Sequence, residues 1–95
     1  MAFELETTDL YDQWFANQKP KLKAQIEKRL LNIKEHEHFG HAKQLDRELA
    51  EIKFNDGTRI YFAVKKVGAK IIILLLGGNK NGQDKDIKKA RSLLR

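Results

Sequence analysis

Glu51-Ile52-Lys53-Phe54-Asn55-Asp56-Gly57-Thr58-Arg59-Ile60-Tyr61-Phe62 holds two runs of alternating apolar and polar residues around an Asn-Asp-Gly centre. Ala50, Ile52 and Phe54 alternate with Glu51 and Lys53, while Ile60, Phe62 and Val64 alternate with Arg59, Tyr61, Ala63 and Lys65. Successive side chains of a strand point to opposite faces of a sheet, so each run predicts a strand and the pair a β-hairpin. A two-residue Asp-Gly loop would set Phe54 opposite Arg59 and Ile52 opposite Tyr61, mixing apolar with polar on each face. A three-residue loop with Gly57 left-handed pairs Ile52 with Ile60, Ala50 with Phe62 and Lys53 with Arg59, and is the register expected. It gathers Glu51, Lys53, Arg59 and Tyr61 on one face, expected to be polar, basic and open to solvent, and leaves the other face for a covering layer.

The pattern extends outward from the hairpin. Val67-Gly68-Ala69 predicts a turn into Lys70 to Leu76, whose unbroken Ile/Leu run predicts a central strand covered on both sides. Such a strand needs two neighbours. The hairpin supplies one, and the alternating Phe3 to Glu6 segment is expected to supply the other. Thr7, Thr8 and Asp9 are candidate caps for a short helix on which Leu10, Tyr11, Trp14 and Phe15 share one face as core residues. Pro20 suits the first position of a second helix, with Leu22, Ile26, Leu30 and Ile33 along one stripe. The two helices form a hairpin that needs a sheet to cover. A last helix carries Gln83, Asp84, Ile87, Ala90, Leu93 and Leu94. The expected fold is therefore α+β in the order βααβββα: a small antiparallel sheet with the N-terminal strand, a helical hairpin on one face, and a C-terminal helix.

A chain of 95 residues has room for one domain, here residues 1–95. Its 41% hydrophobic and 34% charged residues are enough to bury a core. There is no Cys, which removes disulfides, thiolate zinc sites and thiol catalysis and suits a cytoplasmic protein. The start lacks a signal-peptide pattern, and the longest apolar run, Ile71 to Leu76, is six residues against the roughly 20 of a spanning helix. A soluble chain with no membrane partner is expected. Net charge is +6, with six Lys/Arg against seven Asp/Glu in residues 1–40 and thirteen against six in residues 41–95. A C-terminal half at +7 points to a polyanion or an acidic protein as partner.

Several motifs offer chemistry that their surroundings do not complete. Glu35-His36-Glu37-His38-Phe39-Gly40-His41 holds metal-binding residue types, yet a frayed helix end running into a loop at Gly40 explains it, and no metal is expected. Gly77-Gly78-Asn79-Lys80-Asn81-Gly82 has the glycine offset of a P-loop but lacks the Gly-Lys-Ser/Thr ending, which excludes an NTPase. It remains either a phosphate-binding environment at a helix start or a plain strand-to-helix turn capped by Asn81. Ser92 is the chain's one serine, so a serine hydrolase is excluded.

The element order, with the blocks Glu51 to Phe62 and Leu75-Leu76-Gly77-Gly78-Asn79-Lys80-Asn81-Gly82-Gln83-Asp84-Lys85-Asp86-Ile87, resembles the RelE/ParE toxin superfamily, most closely its phage-derived, HigB-like addiction-module killer branch. The resemblance covers nearly the whole chain. It implies a type II toxin that cleaves mRNA in the ribosomal decoding site and is neutralised by a cognate antitoxin. No cofactor and no small-molecule substrate are implied. Lys53 and Arg59 match the family's active-site positions, and Lys80 stands near a third. Glu51 is the candidate general base or a salt-bridge partner that orients Arg59. Tyr61 is a proton donor, a stacking platform or a plain sheet tyrosine. Lys43, Arg47, Lys65 and Lys85 are expected to hold the RNA backbone. The antitoxin is expected to be acidic in places, with Leu93 and Leu94 either in that contact or packed on the sheet. Two alternatives keep the fold: a ParE-like toxin that inhibits DNA gyrase, and a non-catalytic RNA-binding protein.

Overall fold

The hairpin adopts the register that its pattern requires. In a computed structural model describing residues 3–67 and 69–94, β3 (Leu49–Lys53) pairs with β4 (Thr58–Val67) so that Ile52 faces Ile60, Ala50 faces Phe62 and Lys53 faces Arg59. Gly57 has φ of 95°, the left-handed conformation that costs a residue without Cβ least. Asp56 closes the turn: its Oδ1 accepts from the Thr58 N–H at 2.9 Å, and hydrogen bonding from Thr58 holds the Asp56 carboxyl below the usual carboxylate range.

The remaining elements are β1 (Glu4–Thr7), α1 (Asp9–Ala16), α2 (Pro20–His36), β2 (Ala42–Gln44), β5 (Ala69–Asn79), a 3-10 turn at Lys80–Gly82 and α3 (Gln83–Ser92). The sheet order is β1-β5-β4-β3-β2. The expected α+β architecture is present, with β5 central between β1 and β4. Four strands run antiparallel, and β1 joins β5 in parallel. Parallel pairing follows from the connection, since two helices carry the chain from β1 across one face before the sheet resumes. The short edge strand β2 has no counterpart in the expected order; its three residues fall in a polar stretch with no alternation to mark them. The turn expected at Val67-Gly68-Ala69 centres on Gly68, outside the described residues.

Each face of the sheet has its own core. On one, Tyr11, Ile26 and Ile33 of the helical hairpin pack on Ile52, Ile60, Phe62, Ile72 and Leu74. On the other, Ala90 of α3 packs on Leu49, Tyr61, Ala63 and Leu75, flanked by Leu93 and Leu94. Leu93 and Leu94 therefore pack on the sheet. Burying an Ile or Leu side chain contributes about 1.5–3 kcal/mol, so the second core is a substantial reason for α3 to dock. A bulge in β5 sits opposite Tyr61 and Phe62, which pair with Leu76 and Leu74. The extra residue, Leu75, joins Leu76 on the α3 side and shifts the alternation beyond it.

Caps hold the helices to this frame. The Thr8 hydroxyl accepts from the Tyr11 N–H at 3.1 Å and donates to the Leu75 carbonyl at 2.6 Å, fixing the start of α1 on the bulge. Pro20 begins α2 as expected. The residue that ends α2 is Glu37, left-handed at φ 54°, and Gly40 bends the loop further on at φ 66°. The cap before α3 also differs from expectation. Asn81 caps nothing: Asn79 caps the 3-10 turn, accepting from the Asn81 N–H at 2.9 Å, because β5 runs through Gly77 and Gly78 and the turn begins later, and α3 starts after Gly82 with no side-chain cap.

Candidate functional site

Lys53, Arg59 and Lys80 converge at the turn end of the sheet. Lys53 and Arg59 are cross-strand partners, and Arg59 also faces Gly78 of β5. Lys80 follows two residues later. Its N–H donates to the Gly57 carbonyl at 2.9 Å, and its side-chain stem rests beside the turn, 3.4 Å from where a Cβ on Gly57 would stand. Lys85, on the first turn of α3, borders the same hollow as Lys80.

The expectation that this whole face is open to solvent is overturned. Glu51 and Tyr61 are fully buried beneath α3. Gln83 of α3 donates to both carboxyl oxygens of Glu51, at 3.3 and 3.1 Å, and the Lys53 ammonium stands 3.9 Å from the same group. The physical reason is the second core. Leu49, Tyr61, Ala63 and Leu75 alternate onto the face that carries Glu51, and α3 buries them together with it. Glu51 therefore contacts Gln83 and Lys53 and is not placed to take a proton from a bound RNA.

Two polar atoms in this region have no hydrogen-bond partner: Arg59 Nε and the Tyr61 hydroxyl, both buried. The Arg59 side chain is anchored through one terminal nitrogen, which donates to the Thr58 carbonyl at 3.2 Å. A buried donor without a partner costs about 1–3 kcal/mol; Tyr61, fully buried beneath α3, is closed to a ligand, whereas the half-buried Arg59 side chain is not. Burial, reinforced by Glu51 and Asp86, pushes the Tyr61 phenol up to about 12. Burial also raises the Asp86 carboxyl, which lies against Gly78.

Tyr61 is accordingly a neutral hydroxyl at physiological pH. The chain's second tyrosine, Tyr11, is likewise raised, chiefly by burial and then by Asp12 and Glu27. A phenol raised in the folded state leaves stability intact below the unfolded value of about 10 and erodes it as pH climbs above that value. At pH about 10, where free tyrosine is half ionised, the folded chain should show little phenolate absorbance, with the rise accompanying loss of circular dichroism. Half-ionised tyrosine at that pH in a folded chain would refute the burial of these hydroxyls.

The remaining candidates are spread out. Lys43 faces Glu51 one strand toward the edge, Arg47 lies in the β2–β3 turn, and Lys65 is six residues along β4 from Arg59, roughly 20 Å at the rise of a strand. Gln83 and Arg29 are contributors that the sequence pattern did not reveal. Arg29 of α2 lies over the Phe54 ring at 4.6 Å and donates to the Lys53 carbonyl at 3.3 Å, steadying the strand end; nothing in helical periodicity marks a polar-face arginine for that task. Among the described residues, no group of three or more His, Cys, Asp or Glu could hold a metal ion. No described helix is long and apolar enough to cross a membrane.

The same architecture occurs in solved structures. A mutant of E. coli toxin RelE in the free state superposes with a TM-score of 0.81 at 15% identity, over 100% of both chains. Isolated E. coli RelE gives 0.69 at 16% identity, over 82% of this chain and 84% of that one. The intact E. coli RelBE toxin-antitoxin complex gives 0.69 at 15% identity, over 82% and 96%. No protein-family model matches the chain. An uncharacterized protein of Haemophilus influenzae is 32% identical over 94 residues, covering 98% of this chain and 94% of that protein. The chain belongs to one family with that protein and has the RelE fold. On this RelE-fold sheet, Lys53, Arg59 and Lys80 form the basic cluster at the turn end, and α3 closes the adjoining face.

Proposed function

We propose that this chain is a toxin of the RelE type, restrained by a cognate antitoxin, that cuts mRNA on the ribosome. The observation that carries the proposal is the convergence of Lys53, Arg59 and Lys80 at one end of a RelE-fold sheet, with Arg59 Nε buried and unpartnered. Cleavage of RNA by its own 2′-hydroxyl forms a 2′,3′-cyclic phosphate and expels the 5′-oxygen. The pentacoordinate phosphorane between them gathers negative charge, which fixed donors stabilise. Arg59 suits that task because a guanidinium grips two phosphate oxygens at once. Lys53 and Lys80 add charge from either side, and Lys85 extends it along the RNA backbone. Glu51 acts by placing Lys53 and by anchoring Gln83, a positioning role in place of the expected general base.

A three-cation site on a small open surface supplies charge, while the ribosome supplies alignment of the message. The test is a cell-free bacterial translation reaction in which message 5′ ends are mapped after adding the purified protein. Breaks confined to messages engaged by ribosomes, with the same RNA left intact when ribosomes are omitted, are the expected result. Messages that stay whole would overturn the nuclease assignment, and inhibited gyrase supercoiling in a parallel reaction would transfer the toxin to the ParE-like alternative.

A further inference from the structure

Burial of Glu51 leaves the proposed cleavage without a group to take the proton of the attacking 2′-hydroxyl. The cross-strand row at the turn end offers a replacement. Lys53, Arg59 and Gly78 stand side by side on β3, β4 and β5, and directly opposed residues of neighbouring strands share one face of a sheet. Two cations and one vacant place therefore lie in a row on the α3 side. Asp86 of α3 fills the vacancy: a Cβ on Gly78 would stand 2.1 Å from Asp86 Oδ2, so only a residue without Cβ lets this carboxyl come so close to the sheet.

The carboxyl so placed is not consumed by the fold. Asp86 is half-buried and makes no hydrogen bond or ion pair among the described residues. Asp84, exposed in the same first turn of α3, already supplies the negative charge that a helix N-terminus favours. The Tyr61 phenol reports which charges surround it: after burial, Glu51 and Asp86 raise it and Arg59 lowers it. Asp86 and Arg59 thus flank one buried hydroxyl without pairing with each other, and Arg59 Nε has no partner either. Both groups keep their capacity for a ligand. A carboxylate of ordinary strength is a weak base at neutral pH, whereas burial raises the Asp86 carboxyl and brings its basicity nearer the range a general base needs.

We propose that Asp86 is the general base of the cleavage, its carboxylate taking the proton of the RNA 2′-hydroxyl while Arg59 holds the adjoining phosphate. This inference rests on the function proposed above. As the 2′-oxygen bonds to phosphorus, its proton passes to a carboxylate oxygen of Asp86. The bond from phosphorus to the 5′-oxygen breaks, its electron pair leaves with that oxygen, and the oxygen takes a proton from water. Asp86 then returns its proton to solvent, leaving a 2′,3′-cyclic phosphate and a 5′-hydroxyl.

The test is single-turnover cleavage by the full chain on stalled ribosomes. Asp86→Asn keeps the shape of the side chain and removes its basicity. Cleavage should fall by about 10² or more, the scale of a lost general base, with the urea midpoint no lower than the parent's. Glu51, Arg59, Tyr61 and Lys80, the other charged or titratable groups near Asp86, stay in place in this variant. The ratio of parent rate to variant rate should shrink as pH is lowered from about 8 to 5, because protonation silences the carboxylate and leaves the amide unchanged. Gly78→Ala, whose Cβ takes the place of the carboxyl, should lower cleavage about tenfold or more through displacement of Asp86. Cleavage within a few-fold of the parent in folded Asp86→Asn, a ratio constant with pH, or an Asp86→Asn chain less stable than the parent would overturn the proposal and return this carboxyl to a structural role. The parent separates the two claims: messages that it leaves whole sink the cleavage function itself, whereas a cutting parent with an equally active Asp86→Asn variant sinks the assignment of Asp86 alone.

Discussion

Arg59→Ala is expected to lower ribosome-dependent mRNA cleavage by about 10² or more while leaving the fold intact, the scale seen when one transition-state donor is removed. The side chain is partly buried and makes one described hydrogen bond, from a terminal nitrogen to the Thr58 carbonyl at 3.2 Å. Its Nε, buried with no partner, is released from that unfavourable state by truncation. Stability should therefore change little, and activity should change greatly. Arg59→Lys should restore only part of the loss, because an ammonium replaces a planar fork of donors with a point charge. Single-turnover cleavage on stalled ribosomes, with urea unfolding as the companion measurement, separates the two effects. Cleavage within a few-fold of the parent in a folded Arg59→Ala chain would remove this residue from the chemistry and, with it, the main support for a nuclease.

The second large effect is on stability. Gly77→Ala should destabilise the fold by about 3 kcal/mol, at the upper end of the usual cost of overpacking. A Cβ on Gly77 would stand 2.1 Å from the indole ring of Trp14. The ring cannot withdraw easily, since it packs against Tyr11 at 5.8 Å and α1 is tied to the bulge by Thr8 at both N–H and hydroxyl. Without that clash, Gly→Ala commonly stabilises by about 0.4–1 kcal/mol through the unfolded state, so the sign of the change is diagnostic. Gly78→Ala meets the Asp86 carboxyl at 2.1 Å, the end of a side chain able to swing toward solvent, and should cost less. Denaturant midpoints decide; a Gly77→Ala chain as stable as the parent would show that α1 does not pack on β5 as described.

These two glycines show where sequence pattern stops. Gly77-Gly78 reads as the start of a loop because glycine is common in turns, and only packing reveals both as strand residues kept small by Trp14 on one face and Asp86 on the other. The β5 bulge is equally hidden: an unbroken Ile/Leu run has no alternation to interrupt, so the extra residue leaves no mark. The Glu51-Lys53-Arg59-Tyr61 face shows the complementary case. Their common face was legible from period-two alternation, but their exposure was not, because solvent access depends on whether α3 returns to that side. Leu49 and Ala63 on the same face, with Ile87, Ala90 and Leu94 at helical spacing, were the available signal.

Local pattern alone determined the three helices and every strand but β2, the hairpin register, the left-handed Gly57, a first helix start within Thr7 to Asp9, the Pro20 start of the second and the pairing of Lys53 with Arg59, since each follows from steric preference or from keeping apolar residues on one face over a few residues. Only the tertiary structure decided that β1 joins β5 in parallel, that α3 buries Glu51 and Tyr61, that Lys80 leans on Gly57 and that Lys43, Arg47 and Lys65 stand apart from the turn-end cluster. Those outcomes depend on which surfaces far apart in the chain bury each other, a choice made by the summed apolar area of two cores and invisible to any short window of residues.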